Sequence, residues 1–461
     1  DVLEITSSKR IKMADYVQSG IPFYRSKEII EKSNNQPVST DIFITCEHFD
    51  KIKMKFGAPE AGDILLTSVG TLGVSYQVSD DDLFYFKDGN LTWFRNFNNR
   101  VLSGYIYCWL KSPSARKKLD EISIGTTQRA LTIASLKKIL IKIPSLDVQK
   151  KIVFIYESLS KKIINNGKIN QTLEQMAQVL FKSWFVDFEP VKAKIAVLEA
   201  GGSQEDATRA AMTAISGKDA DALAVFEREH PEQYAQLKAT AELFPAAMQD
   251  SELGAIPKGW GVASISEMGK VTCGKTPSKK EPEYYGSDVP FIKIPDMHGQ
   301  LFVLKTNEYL SEAGSKSQLK KLVPANSICV SCIATIGVVS ITNEPSHTNQ
   351  QINSVTPHKS SLLYYLYFCM LGLKDHLHIL GSAGSATLNV NTSTFSGIKI
   401  AQPDAKVLEL FHAKCTHLFN EIKSLSVQTE SLTQLRDTLL PKLLSGEITL
   451  PEAEQIISEE A

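Results

Sequence analysis

Gly269-Lys-Val-Thr-Cys-Gly274-Lys275-Thr276 fits the phosphate-binding pattern G-x-x-x-x-G-K-[ST] letter for letter. In that chemistry the N–H groups of a glycine-rich turn and the start of a following helix surround a phosphate. Here Pro277 and Pro282 bracket Ser-Lys-Lys-Glu with no apolar stripe behind, so no long helix is expected. No hydrophobic run ending in Asp stands nearby to hold magnesium, and the segment reads as a basic loop. Cys329 and Cys332 form a C-x-x-C, but a tetrahedral zinc site needs two more ligands. No second C-x-x-C and no H-x-x-x-H supplies them, so the pair is assigned to an ordinary strand. His376 and His378 lie two apart near a helix end without a third ligand and read as solvated or packed. G-x-S-x-G, H-E-x-x-H and the Asn/Asp-Pro-Pro-aromatic motif of amino-methyltransferases are all missing. The sequence offers no active site.

What remains is the chemistry of base and phosphate contact. Gln128 and Arg129 follow Gly125-Thr-Thr, and Asn389 and Asn391 follow Gly381-Ser-Ala-Gly-Ser. Asn349-Gln350-Gln351-Ile352-Asn353 is a second amide cluster, and Arg95, Asn96, Asn98, Asn99 and Arg100 form another. Asn, Gln and Arg pair bidentately with purine edges in the major groove. Lys9, Arg10, Lys275, Lys279 and Lys280 suit phosphates, which fix position without specifying sequence. Taken singly, each of these is matched by the plainer reading of a solvated loop residue. Their recurrence in two separate parts of the chain lifts the group above that.

The recurrence belongs to an internal repeat. Leu131-Thr-Ile-Ala-Ser-Leu136-Lys-Lys-Ile139-Leu-Ile141-Lys-Ile143-Pro144 matches Val390-Asn-Thr-Ser-Thr-Phe395-Ser-Gly-Ile398-Lys-Ile400-Ala-Gln-Pro403 at a shift of 259. The match runs on without a gap through Leu159/Leu418, Ile163/Ile422, Leu173/Leu432, Met176/Leu435 and Leu180/Leu439. Upstream, Asp63–Val74 parallels Ser327–Val338 at a shift of 264, and Gly20–Phe23 parallels Asp288–Phe291 at a shift of 268. On that register Trp260 maps ahead of residue 1, so the numbered chain is expected to omit part of its natural N-terminus.

Each repeat opens with short β-like runs and closes in a long helix. Leu408, Phe411, Cys415, Leu418, Ile422 and Leu425 alternate three and four apart, and Leu432, Leu435 and Leu439 resume the stripe. The other helix carries Ile152, Ile155, Leu159 and Ile163, then Leu173, Met176, Leu180 and Trp184. Such a narrow seam asks for a partner helix. Pro144 and Pro403 stand ahead of the helices, and Pro190 and Pro441 are expected at or beyond their ends. The fold class is therefore α+β, with two repeated α/β domains separated by two long antiparallel helices packed as in a coiled coil. The expected boundaries are 1–146 for the first domain, 147–190 for a long helix and 191–250 for a helical insertion packed on a partner. The second domain then takes 251–403, the second long helix 404–446, and a mobile acidic tail 447–461.

Composition sets limits on this scheme. The chain has 461 residues, 43% hydrophobic and 22% charged, which fits a folded multidomain protein rather than a disordered one. No run of about 18 uncharged apolar residues exists, so no membrane span is expected, and Ser361–Leu373 reads as a buried helix. No signal-peptide pattern opens the chain. The seven cysteines are scattered, which points to a reducing cytoplasm. A net charge of −1 argues against a nucleic-acid binder. Its distribution tempers that. Basic residues outnumber acidic ones 20 to 16 over 1–146 and 12 to 9 over 260–403, whereas 191–250 is acidic, 6 against 10.

Gln171-Thr-Leu-Glu-Gln-Met-Ala-Gln-Val-Leu-Phe-Lys-Ser-Trp-Phe-Val-Asp-Phe-Glu-Pro190 resembles the central conserved region of specificity subunits of type I restriction–modification systems. Leu432-Thr-Gln-Leu-Arg-Asp-Thr-Leu-Leu-Pro-Lys-Leu-Leu-Ser-Gly-Glu447 resembles their C-terminal conserved region. Ile143–Gln149 and Ser251–Trp260 are similar to the family's junctions. The resemblance covers essentially the whole chain, repeat included. It implies a non-catalytic subunit whose two target-recognition domains each read half of a bipartite double-stranded DNA sequence. It further implies that two methyltransferase subunits dock on the helices and that motor–nuclease restriction subunits join them. S-adenosylmethionine, ATP and magnesium would serve those partners, with no cofactor in this chain. Two rival readings stay open on the residues alone: an NTP-driven nucleic-acid enzyme using Gly269–Thr276, and a scaffold whose loops bind protein.

Overall fold

Residues 2–125, 129–382 and 388–460 are described in a computed structural model. Two compact units divide the chain: Asp1–Lys168 with Ser426–Ala461, and Ile169–Leu425. The division cuts through both long helices rather than falling at their ends.

In the first unit the strands are β1 (Glu4–Thr6), β2 (Ile21–Tyr24), β3 (Phe43–Ile44), β4 (Ile64–Thr67), β5 (Ser75–Gln77), β6 (Tyr85–Phe86) and β7 (Leu91–Arg95). They form an antiparallel sheet β1-β7-β4-β5 and a smaller sheet β3-β2-β6. Ile-Leu-Leu-Thr of β4 is buried at all four positions, as its unbroken apolar run requires of a strand covered on both faces. The helix Ser103–Lys111 is buried against this core through Tyr105, Ile106, Trp109 and Leu110.

The second unit begins with a hairpin, β8 (Met248–Ser251) and β9 (Gly254–Pro257), followed by β10 (Gly261–Ser264). Its main sheet has the order β11-β19-β16-β17-β14, built from β11 (Gly269–Cys273), β14 (Phe302–Val303), β16 (Ile328–Ser331), β17 (Val339–Thr342) and β19 (Ile352–Pro357). A second sheet joins β12 (Tyr285–Gly286), β13 (Val289–Ile292), β15 (Tyr309–Leu310) and β18 (His347–Thr348), and β20 (Lys399–Gln402) pairs with β10. Leu363–Gly372 is a helix buried along nearly its whole length, as the apolar run at 361–373 predicts.

The repeat reappears in the hydrogen bonds of each unit. Glu4–Thr6 pair with Arg95–Trp93 as Lys270–Thr272 pair with Thr356–Ser354. Ile64 faces Phe94 as Ile328 faces Val355. The parallel pairing of Phe23 with Tyr85 matches that of Phe291 with His347. Beyond the sheet, Leu131 N–H donates to Ser68 O just as Val390 N–H donates to Cys332 O. One register serves two sequences.

The long helices are Leu146–Phe185, of 40 residues, and Ala405–Ser445, of 41. At about 1.5 Å per residue each is about 60 Å long. Gln149, fully buried, fastens the start of the first: its Oε1 accepts from Leu102 N–H, and its Nε2 donates to the Arg100 and Pro144 carbonyls. In the first unit Ile152, Ile155 and Leu159 pack with Leu432, Leu435, Leu439 and Leu443. In the second, Leu173, Ala177, Leu180 and Trp184 pack with Phe411, Cys415, Leu418, Phe419 and Ile422. The seam was therefore legible, with two corrections. Met176 is 55% exposed, and Ala177 takes the buried position beside it. Pro441 lies inside the second helix, which runs on to Ser445 and stops at Gly446 in the left-handed region. Between Ile163 and Leu173, where the apolar stripe lapses, buried Asn166 donates to Gln428 Oε1 at 2.9 Å. A paired amide in a seam fixes helix register at some cost in stability.

Glu189–Glu199, Gln204–Ser216, Ala220–Glu229 and Pro231–Glu242 are the helices of the insertion, centred on Ala211, Met212, Leu223 and Ala241. The tail departs from the expectation of a mobile segment. Leu450–Glu460 is a helix, opened by Thr449, whose N–H and Oγ1 both donate to Glu452 Oε2, with Ala453 fully buried and Leu450, Ile456 and Ile457 packed on the first unit's core. Net acidity masked an apolar stripe three and four residues apart.

Candidate nucleic-acid interface

The loops singled out in the second unit meet at one end of the main sheet, where β11 and β16 end and β19 begins. Cys273 is paired with Asn353, and Val330 also faces Asn353. Past β11, Gly274 N–H donates to Ile352 O and Lys275 N–H to Thr348 O, at 3.1 and 2.9 Å. Those donors are the ones a phosphate would need, so the loop has no cradle to offer. A Cβ on Gly274 would strike the carbonyls of Thr348 and Asn349, which is why glycine stands there. After the strand come turns and a short 3-10 turn, Pro282–Tyr284, rather than a helix. The phosphate-loop pattern is an accident of close backbone packing.

Lys275, Lys279 and Lys280 project from this loop into solvent. Gln350, also exposed, accepts from Thr276 Oγ1 at 2.6 Å, and Gln351 is tied to Asn349 by two hydrogen bonds. Asn389, exposed, bridges to Ile333 just past β16. Two expected contacts are corrected. Asn353 is 3% exposed and accepts from Thr392 Oγ1, and the Asn391 side chain caps the helix Thr392–Gly397 through Thr394 N–H. Both build the loop rather than front it.

The loop's shape depends on a buried histidine. His347, fully buried, lies 2.9 Å from Ser315 Oγ and 3.5 Å from Gln318 Nε2, which also donates to Lys275 O. Burial pushes its pKa down from 6.5 to about 4. The unfolded chain therefore binds a proton between pH 6.5 and 4 that the folded one does not, so stability falls as pH is lowered through that window. Acid-induced loosening of this loop is expected, followed by amide exchange at Gly274 and Lys275. An equal loosening in His347→Gln would exclude the histidine as its cause.

In the first unit the same end of the sheet carries Lys9 and Arg10, just past β1. Register makes Lys9 the counterpart of Lys275, each three residues beyond an equivalent threonine, Thr6 in one ladder and Thr272 in the other. Lys9 Nζ sits 5.0 Å from the Phe56 ring centre, and Arg10 is 3.9 Å from Asp88 with its side chain 82% exposed. Gly89 N–H meets Ser7 Oγ where Gln350 O meets Cys273 Sγ in the other unit. Register likewise puts Asn90 at the place of Gln351, and Lys87 is exposed beside it. Neither was singled out, because Asp88-Gly89-Asn90 shares no letter with its counterpart and only strand pairing aligns the two.

Arg95, Asn98 and Arg100 lie at or beyond the far end of β7, although the Arg95 side chain reaches back to Phe56, on whose ring Lys9 packs. Arg95 is spent on Glu4 through two hydrogen bonds and on Phe56 O, and its hydrogen bonds hold the Glu4 carboxyl below its usual pKa. Asn98 Oδ1 accepts from Arg100 N–H, with both residues exposed. Arg129, near the Lys9 end, is bound to Ser123 and Asp120. Gln128 lies outside the described residues.

The cysteine and histidine pairs take structural places. Cys329 and Cys332 fall on opposite faces of the sheet, in different core clusters, and burial pushes both thiols up to about 11. Their thiols do not converge on one point. Among the described residues no group of three His, Cys, Asp or Glu side chains is arranged to hold a metal, and no helix is long and apolar enough to cross a membrane.

The family described as Type I restriction modification DNA specificity domain matches residues 1–175 and 257–424, one stretch for each copy of the repeat. This chain belongs to that family. Among its relatives, the HindI type I restriction enzyme specificity subunit of Haemophilus influenzae is 42% identical over 429 residues, covering 90% of this chain and 93% of that one. The MjaIX specificity subunit of Methanocaldococcus jannaschii is 26% identical, covering 85% and 78%. In fold, the specificity chain is similar to the crystal structure of a type I restriction–modification S subunit from M. genitalium, with a TM-score of 0.50 at 13% identity, covering 96% and 93%. It is a DNA-specificity component of a restriction–modification system, not a catalytic subunit.

Proposed function

We propose that each unit reads one half of a bipartite duplex target with the sheet end that carries Lys9 in the first and Lys275 in the second. The observation behind this reading is the shared register: two unlike sequences place an exposed lysine, an amide-bearing turn and a closing bond, Leu131 N–H to Ser68 O or Val390 N–H to Cys332 O, at the same end of equivalent sheets. Lysines there neutralise phosphates and fix position, and Gln350, Gln351 and Asn389 are within the chemistry of base edges. Arg10, Lys279 and Lys280 extend the basic rim.

The long helices, in this reading, are the seat of two methyltransferase subunits, with restriction subunits joining the complex. Exposed Met176 and Val179, one turn apart on the outer face of the first helix, suit such a seat better than solvent. Methyl donor, ATP and magnesium then belong to those partners. Adenine methylation, or cleavage of unmodified DNA, is an act of the assembly.

Lys9→Ala and Lys275→Ala, each in the assembled methyltransferase, test the reading. Each is expected to weaken binding on all sequences alike and to reduce the slope of log K against log salt by about one. An unchanged slope in both would move the phosphate contacts elsewhere.

A further inference from the structure

The turn after β16 is built twice, bond for bond. In the second unit Ser331 N–H donates to Val338 O, Gly337 N–H to Ser331 O and Val338 N–H to Ser331 Oγ, at 3.0, 2.9 and 2.8 Å. In the first, Thr67, Gly73 and Val74 repeat the set at 2.9 Å each. So fastened, the turn enters the left-handed backbone region at two places. One is Gly73 or Gly337, at φ +77° and +84°. A Cβ on Gly337 would lie 2.6 Å from Lys374 Cγ and 3.4 Å from its Cα, which keeps glycine there. The other is Gly70 in the first unit, at φ +78°, but Ala334 in the second, at φ +64°.

An L side chain in that region crowds its own backbone, and alanine lacks the short polar group that lets asparagine tolerate it. Among the described residues the other non-glycine positions of positive φ are three asparagines and Phe188, whose ring packs edge-on to Trp260. Ala334 has neither reason. It is exposed, and a Cβ at Gly70 would meet nothing within 4 Å among the described residues. Packing inside the chain therefore does not offset the strain.

The strained methyl stands at the end of the sheet that carries Lys275. Ala334 N–H donates to Leu388 O at 3.0 Å, and Ile333 bridges to exposed Asn389. Thr335, also exposed, adds a second methyl beside it. Strain held at such a place points to a contact outside the chain. We propose that Ala334 touches the 5-methyl group of a thymine in the half-site read by the second unit. That methyl is the apolar group a base pair presents in the major groove, and alanine and threonine methyls are among its partners. The assignment rests on the reading of the sheet ends proposed above and names one base that this end selects. Gly70 brings no methyl to the same place, so the contact belongs to one half of the target.

The test uses the assembled methyltransferase complex and duplexes in which each thymine of that half-site is replaced in turn by deoxyuridine, which lacks only the methyl. At one position the replacement is expected to weaken binding about fourfold, the effect of uncovering one methylene-sized group. Ala334→Gly should bind the thymine and uracil duplexes alike, at the weakened affinity. Released from strain, the same variant should unfold about 2–4 °C higher in the full chain, which separates lost contact from lost folding. The proposal is overturned if no position responds to uracil, if Ala334→Gly keeps the uracil penalty, or if its unfolding temperature does not rise. Should it fail while Lys275→Ala still reduces the salt slope, the reading of the sheet ends stands without it. Should Lys9→Ala and Lys275→Ala both leave the slope unchanged, that reading falls too.

Discussion

Exchanging residues 261–402 for the corresponding segment of another family member is expected to replace one half of the recognised DNA sequence and leave the other half intact. The cut points follow the structure. Gly261 and Gln402 are the outermost pair of the β10–β20 ladder, so the exchanged piece brings its own closing strands. Trp260 stays behind, because it is buried against Phe185 and Phe188 at ring distances of 5.8 Å. The donor must present an apolar helix where Tyr367 bonds Glu174 and Phe368 stacks on Phe181, or the chimera fails by loss of packing rather than by loss of reading. Each wrongly read base pair costs about 1–3 kcal/mol, so a half-site of a few base pairs changes preference by orders of magnitude. Single-molecule sequencing of methylated bases, from cells expressing the chimera with its methyltransferase partner, gives the answer directly. A change in both halves would mean that the two units do not read independently.

Trp184→Ala is expected to cost the second unit about 3–5 kcal/mol, the range for emptying a large aromatic from a core. Trp184 is fully buried, edge-on to Phe244 at 5.1 Å and tilted against Phe411 at 6.2 Å. It joins the first long helix, the second and the end of the insertion at one point, so the lost volume cannot be refilled from one side. Trp184→Phe should cost far less: among the described residues the indole N–H meets no acceptor, and phenylalanine removes that unsatisfied donor with the ring largely kept. Urea unfolding followed through the tertiary signal of this unit compares the two. A loss below about 1 kcal/mol for the alanine variant would refute the packing described here.

The rival readings of the loops are weakened for physical reasons. A nucleotide site at Gly269–Thr276 would need amide donors that Thr348 and Ile352 already hold. For a protein-binding scaffold, the placement of exposed lysine and amide side chains at equivalent ends of two sheets would have no reason to recur.

Much of this protein was legible in its sequence because its strongest signals are periodic and local. A 259-residue echo, seams of leucine three and four apart, and proline and glycine at element ends determine two repeated α/β units and two helices of about 40 residues. What tertiary structure decided is which polar side chains remain available. Arg95, Asn353 and Asn391 have the right chemistry for bases, yet one is drawn to Glu4, one is buried under Thr392 and one caps a helix. Composition cannot tell a side chain that faces solvent from one consumed by its neighbours, since both are polar and both sit in loops. Nor could it align Lys9 with Lys275 or Asn90 with Gln351, where only Thr6/Thr272 and the lysine itself agree. Hydrogen-bond register across strands distant in sequence makes that alignment, because backbone pairing is indifferent to the side chains it carries.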